Sequence, residues 1–97
     1  NDYEYIRLDG GVRDIIFNEG GQDIDVRMEG DSVSGLFFLD ASTDRIGIGT
    51  TSPDRLLEIK ESGTGAAIMR FRNTNTSFPN DTAFATLEFY NADASSG

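Results

Sequence analysis

The apolar residues of this chain come in short stretches of four to seven, each closed by Gly, Asp or Asn, and none repeats with the 3.6-residue period of an amphipathic helix. That punctuation restricts the chain to short strands joined by tight turns. Residues 3–8, closed by Gly10-Gly11, and residues 12–17, closed by NEGG, are the first two predicted strands. In DIDVRM, Ile24, Val26 and Met28 share one face and Asp23, Asp25 and Arg27 the other, the period of two that marks a strand with one wet side. GLFFLD is apolar on both faces, Leu36 and Phe38 on one and Phe37 and Leu39 on the other, so each face needs a cover. In RIGIG, Ile46 and Ile48 fall in phase while Gly47 and Gly49 take the opposite face, a sign that another stretch of backbone approaches there. Pro53 in TTSP ends the run, fixing its own φ and pushing Ser52 out of the helical region. RLLEIK, AIMRFR and FATLEFY complete a set of about eight strands at intervals near ten residues. SPDRLLEIK also fits a short helix with Ser52 as N-cap and Pro53 at its first position, with the strand the preferred reading. The expected fold class is all-β, built of short strands with Gly/Asp turns.

Seventeen acidic residues stand against eight basic ones, a net charge of −9, and the chain has no His, Cys or Trp. Such a set cannot assemble a Ser-His-Asp or Cys-His nucleophile, a zinc site of imidazole and thiolate ligands, or a disulfide framework. The acidic surplus argues against nucleic acid, since nothing would displace the counterions around phosphates. The longest apolar runs, such as GLFFL and AAIM, fall far short of the roughly 18 residues of a membrane span, and no basic-plus-apolar leader opens the chain. The sequence starts and stops in mid-pattern, as an excised segment would. Leu, Ile, Val and Phe make up 24 of the 97 residues, lean for a domain of this size, and eleven Gly raise the entropy lost on ordering the backbone. The expectation is an ordered chain that borrows its core from partners.

Candidate sites are few. The acids fall at strand ends and on wet faces, where charges normally sit, so a glycosidase-type pair is outweighed and no enzyme is expected. DIDVRMEGD fails as an EF-hand loop: Asp23 and Asp25 fit the first two ligand positions, but Arg27 takes the third and Met28 the place of the glycine. GGQDID is a single defective copy of the nonapeptide calcium motif, which leaves a cation between symmetry-related Asp side chains as the remaining metal reading. IGIGT lacks the spacing and the Lys of a phosphate-binding loop. No cofactor is expected. Asn75 and Asn80 match the glycosylation sequon within NTNTSFPND, an expected exposed loop. Tyr3, Tyr5 and Tyr90 fit cross-strand packing better than sugar stacking.

The run DIDVRMEGDSVSGLFFLDASTDRIGIGTTSPDRLLEIKESG, residues 23–63, resembles a module of bacteriophage tail-fibre and tailspike proteins. The resemblance rests on an acidic strand followed by EGD, then LFFLDASTDRIGIGTTSP, then a short LLEI strand; IIFNEGG before it and AIMRFRNTNT and TLEFYNADASSG after it are in character. It implies leading strands over 1–22, the module over 23–63 and trailing strands over 64–97. It further implies an elongated, intertwined homotrimer whose strands pack around a threefold axis as shaft or connector. The self-cleaving chaperone domain that ends many such proteins has no counterpart here.

The resemblance, joined to the lean all-β pattern, gives the expectation of a non-enzymatic shaft module of a phage tail fibre or spike, extracellular on the virion, whose partner is itself. A host surface glycan would be met through the parent protein, with no nucleic acid and no membrane insertion. Ile24, Val26, Leu36, Phe38, Ile46, Ile48, Leu57 and Ile59 would form the shared core, and Gly47, Gly49 and Pro53 the turn that ends the DRIGIG strand. The alternatives are a self-polymerising filament subunit outside or on the surface of a cell, and a glycan-binding adhesin segment.

Overall fold

The computed structural model describes residues 4–77 and 79–92. Tyr3, Phe78 and residues 93–97, which the strand and loop expectations include, lie outside them. In chain order the strands are β1 (Ile6–Asp9), β2 (Asp14–Phe17), β3 (Val26–Met28), β4 (Phe37–Asp40), β5 (Arg45–Ile48) and β6 (Leu57–Ile59). They form an antiparallel hairpin, β1-β2, and a four-stranded sheet in the order β3-β4-β5-β6. No helix occurs among the described residues, so the fold is all-β, and RLLEIK supplies strand β6.

The chain divides into two units, Asn1–Ala67 and Ile68–Gly97. The first holds all six strands. Two of the eight expected strands do not form: AIMRFR and FATLEFY run as irregular backbone. A strand exists only where a neighbour completes its hydrogen-bond ladder, and within one chain neither segment is given that neighbour. Ile68, Met69, Phe71, Phe84, Leu87 and Phe89 are accordingly all more than half exposed.

One device closes two of the hairpins, β1-β2 and β4-β5. Asp9, at the end of β1, accepts hydrogen bonds at Oδ1 from the main-chain N–H of Gly11 (2.9 Å) and Val12 (3.3 Å). Asp40, at the end of β4, accepts at Oδ1 from the N–H (3.0 Å) and the hydroxyl (2.7 Å) of Ser42. These are the local side-chain caps that suit Asp to the first position of a turn. Each loop then ends on a non-glycine residue in the left-handed region, Arg13 (φ 65°) and Asp44 (φ 57°), before the next strand begins. LDGGVRDI and LDASTDRI are thus one hairpin used twice, an echo absent from the sequence expectations.

In the four-stranded sheet β3, β4 and β5 are antiparallel neighbours, whereas β6 pairs with β5 in parallel. Parallel neighbours need a crossover, usually a dozen or more residues with a helix. Here residues 49–56 make it as an irregular loop. The loop has to cross one face of the sheet, and it is the piece of the fold that decides which face is finished.

Candidate functional site

Register fixes which side chains share a face. Val26, Leu39, Ile46 and Leu57 stand in one cross-strand row, and Met28, Phe37, Ile48 and Ile59 in the next. Residues paired across a ladder point the same way, and residues two apart on a strand do too, so all eight line a single face. That face is apolar from edge to edge. Its middle strands are half-buried by their neighbours, while at the edges Met28 and Leu57 are each 57% exposed and Ile59 is 38% exposed. The β1-β2 hairpin repeats the situation on a smaller scale: Ile6 pairs with Phe17 and Leu8 with Ile15 on one face, and all four are more than half exposed.

The other face of the sheet carries the row Arg27, Phe38, Gly47 and Glu58. Here the 49–56 crossover provides the cover. Phe38 is the buried apolar side chain of the described core, at 9% exposure, with Thr50 and Pro53 buried in the loop. Arg45 Nη1 donates to the Pro53 carbonyl (3.1 Å), the Ile46 N–H to the Leu56 carbonyl (2.8 Å) and the Lys60 N–H to the Ile48 carbonyl (2.8 Å). Within the loop the Thr50 hydroxyl oxygen accepts from the Ser52 N–H (3.1 Å).

The two glycines of RIGIG let this cover close. A Cβ on Gly47 would meet the carbonyl oxygen and the Cγ2 of Thr50, and one on Gly49 would meet the carbonyl oxygen of Lys60. Gly49 also sits at φ +84°, where L side chains are strained. Its N–H is shared between the carbonyls of Gly35 (3.0 Å) and Leu36 (3.1 Å), which ties the crossover to the entry of β4. The backbone approach that the glycine face suggested is made by residues 50 and 60 of the same chain.

The residues singled out by sequence divide accordingly. Val26, Ile46, Ile48, Leu57 and Ile59 lie together on the apolar face. Phe38 stands on the opposite face, under the crossover. Ile24 is half-buried before β3, and Leu36 is exposed before β4. Met28, Phe37 and Leu39 belong to the apolar face and were not among the residues singled out. GLFFLD alternates with apolar residues on both sides, so only pairing register could tell which pair joins the neighbours.

Other clusters carry less. Carboxylate oxygens of Asp23, Asp25 and Asp40 lie within 4.8 Å of one another. Asp25 Oδ1 accepts from the Ala41 N–H (2.9 Å), so Asp25 and Asp40 both serve the loop that begins at Ala41. Hydrogen bonds from the hydroxyls of Ser42 and then Thr43 hold the Asp40 carboxyl below its ordinary pKa. An open concavity of about 400 Å³ lies beside the crossover, with Ser34, Thr51, Lys60 and Ser62 among its lining residues. Asn75 and Asn80 are exposed, and Asn75 Oδ1 accepts from the Ser77 N–H (3.0 Å) in a local turn. Tyr5 and Tyr90 are exposed as well.

No family model matches the chain, and neither a curated protein nor a solved structure does.

Proposed function

We propose that this chain is a non-enzymatic structural module of a phage tail fibre or spike, a homotrimeric shaft that holds three copies together and supports a receptor-binding part of the parent protein. The observation that carries this reading is the eight-residue apolar face of the β3-β6 sheet. The crossover packs onto one face of the sheet at Gly47, while the other face carries Val26, Met28, Phe37, Leu39, Ile46, Ile48, Leu57 and Ile59, of which Met28, Leu57 and Ile59 are exposed and the rest half-buried. Contiguous apolar patches of this kind on a soluble chain mark association sites. A lean chain that closes its core only on assembly accounts for such a face, since the interface then becomes part of the fold. The GIGTTSP crossover, which leaves that face open, lies within the stretch that resembles tail-fibre modules.

Light scattering after size exclusion, across a range of protein concentrations, tests the reading. A mass of three chains, independent of concentration, is expected. A monomer at all concentrations would refute it, and an unbounded mass would replace the closed trimer with an open filament of the same chain.

A further inference from the structure

We infer that the segment Ala67–Arg72 of one copy adds as a strand to the free edge of β6 in a second copy, which deepens the proposed assembly and rests on it. Strand β6 ends the sheet, with β5 on one side and, among the described residues, no strand on the other. The Leu56 carbonyl and the Lys60 N–H are spent on β5, so the alternation of the ladder turns the main-chain groups of Leu57 and Ile59 outward. An edge of this kind accepts an added strand through main-chain hydrogen bonds, with side-chain fit deciding which strand it takes.

AIMRFR fits this edge and not the other. It alternates, with Ala67, Met69 and Phe71 on one side and Ile68, Arg70 and Arg72 on the other, yet it forms no strand in its own chain. Pairing centred on Glu58 and Arg70 sets Met69 and Phe71 beside Leu57 and Ile59 in either strand direction, which widens the apolar face by one more row. The same register places the Arg70 guanidinium against the Glu58 carboxylate on the opposite face. At the far edge of the sheet the central residue of β3 is Arg27, so the same register there would oppose two like charges, which is unfavourable. Charge thus selects β6. The occupant is assigned to a second copy because its apolar side remains more than half exposed at Met69 and Phe71 in the single chain, although a short connection follows β6.

The chain has no cysteine, so an introduced pair reports cleanly. Leu57→Cys is combined with Met69→Cys in one variant and with Phe71→Cys in another, covering both strand directions, and each is oxidised and run on a non-reducing gel. If every copy lends its segment to the next around a closed trimer, one of the two variants gives a covalent three-chain band. Arg70→Glu should lower that yield about fivefold or more, and Arg70→Lys should retain most of it. Closed single chains, or no cross-link in either variant while light scattering still gives three chains, would overturn the inference and leave the trimer standing. A monomer by light scattering would instead remove the trimer, and this inference with it.

Discussion

The carbonyl oxygen of Thr50 occupies the space in which a side chain at Gly47 would stand. Gly47 pairs with Phe38 across the β4-β5 ladder, so this contact is where the crossover is pressed onto the sheet. Replacing Gly47 by Ala forces the loop off the face it covers and uncovers Phe38. Overpacking of this sort destabilises by about 1–3 kcal/mol. Gly47→Ala should therefore lower the denaturant midpoint, with Thr50→Ser, which removes the Cγ2 but keeps the carbonyl, restoring little of the loss. Full rescue by Thr50→Ser would mean that the methyl, not the backbone, sets the fit.

The two faces of the sheet predict different failures. Leu57→Asp puts a carboxylate on the apolar face, where the single chain leaves it wet and the assembly would bury it. An unpaired buried charge costs about 3 kcal/mol or more, so the concentration needed for assembly should rise at least about a hundredfold while the far-ultraviolet circular dichroism of the chain is kept. Phe38→Asp is expected to act inside each copy, under the crossover, and to remove the β signal at every concentration. If Phe38→Asp kept a folded chain and only blocked assembly, the face assignment would be wrong.

Asp40 makes the β4-β5 hairpin sensitive to acid. The hydroxyls of Ser42 and Thr43 lower its pKa in the folded chain, so its contribution is complete above the unfolded value near roughly 4 and disappears as pH falls through the lower folded value. Thermal midpoints measured between roughly pH 2 and 5 should fall for the wild type more steeply than for Asp40→Asn, which has no such charge to lose. Equal slopes would show that Asp40 is not among the groups responsible.

Arg13 closes the first hairpin at φ 65°, a conformation that disfavours residues with a Cβ. Arg13→Gly relieves that strain and should stabilise the β1-β2 hairpin by up to about 1 kcal/mol, read as slower amide exchange at Ile16 and Asn18, whose N–H groups face β1. Faster exchange would mean that the Arg13 side chain contributes more than its backbone loses.

The strands were legible where alternation is clean. DIDVRM, GLFFLD and RIGIG announced β3, β4 and β5 within a few residues, and the glycines of RIGIG announced a close backbone. Pairing was not legible. Nothing in RLLEIK says that it lies parallel to β5, because hydrophobic alternation is the same for either direction. The face to which Phe37 and Leu39 belong depends on the register of β4 against β5, which sets Phe38 opposite Gly47 and apart from Ile46 and Ile48, with which alternation alone groups it. AIMRFR and FATLEFY have the alternation of strands without a ladder in the single chain, since propensity cannot supply a partner. The repeated hairpin LDGGVRDI and LDASTDRI was hidden because the shared element is a turn conformation, and only Leu, Asp and Ile recur in place.

The parallel placement of β6 beside β5 has a mechanical consequence. Tension drawn along the chain from Arg45 to Ile59 runs along the strand axes and loads the bonds of that ladder together, in shear. The same tension across β4 and β5 enters at the open end of a hairpin and peels its bonds one after another. In a stretched copy we expect the antiparallel hairpins to give way first and the β5-β6 pair, held under its crossover by Arg45 and Pro53, to yield last. Single-molecule pulling between residues 37 and 48, then between 45 and 59, would reveal a lower force in the first geometry than in the second. A load-bearing element would then reside in the one strand pair of the sheet that is not a hairpin.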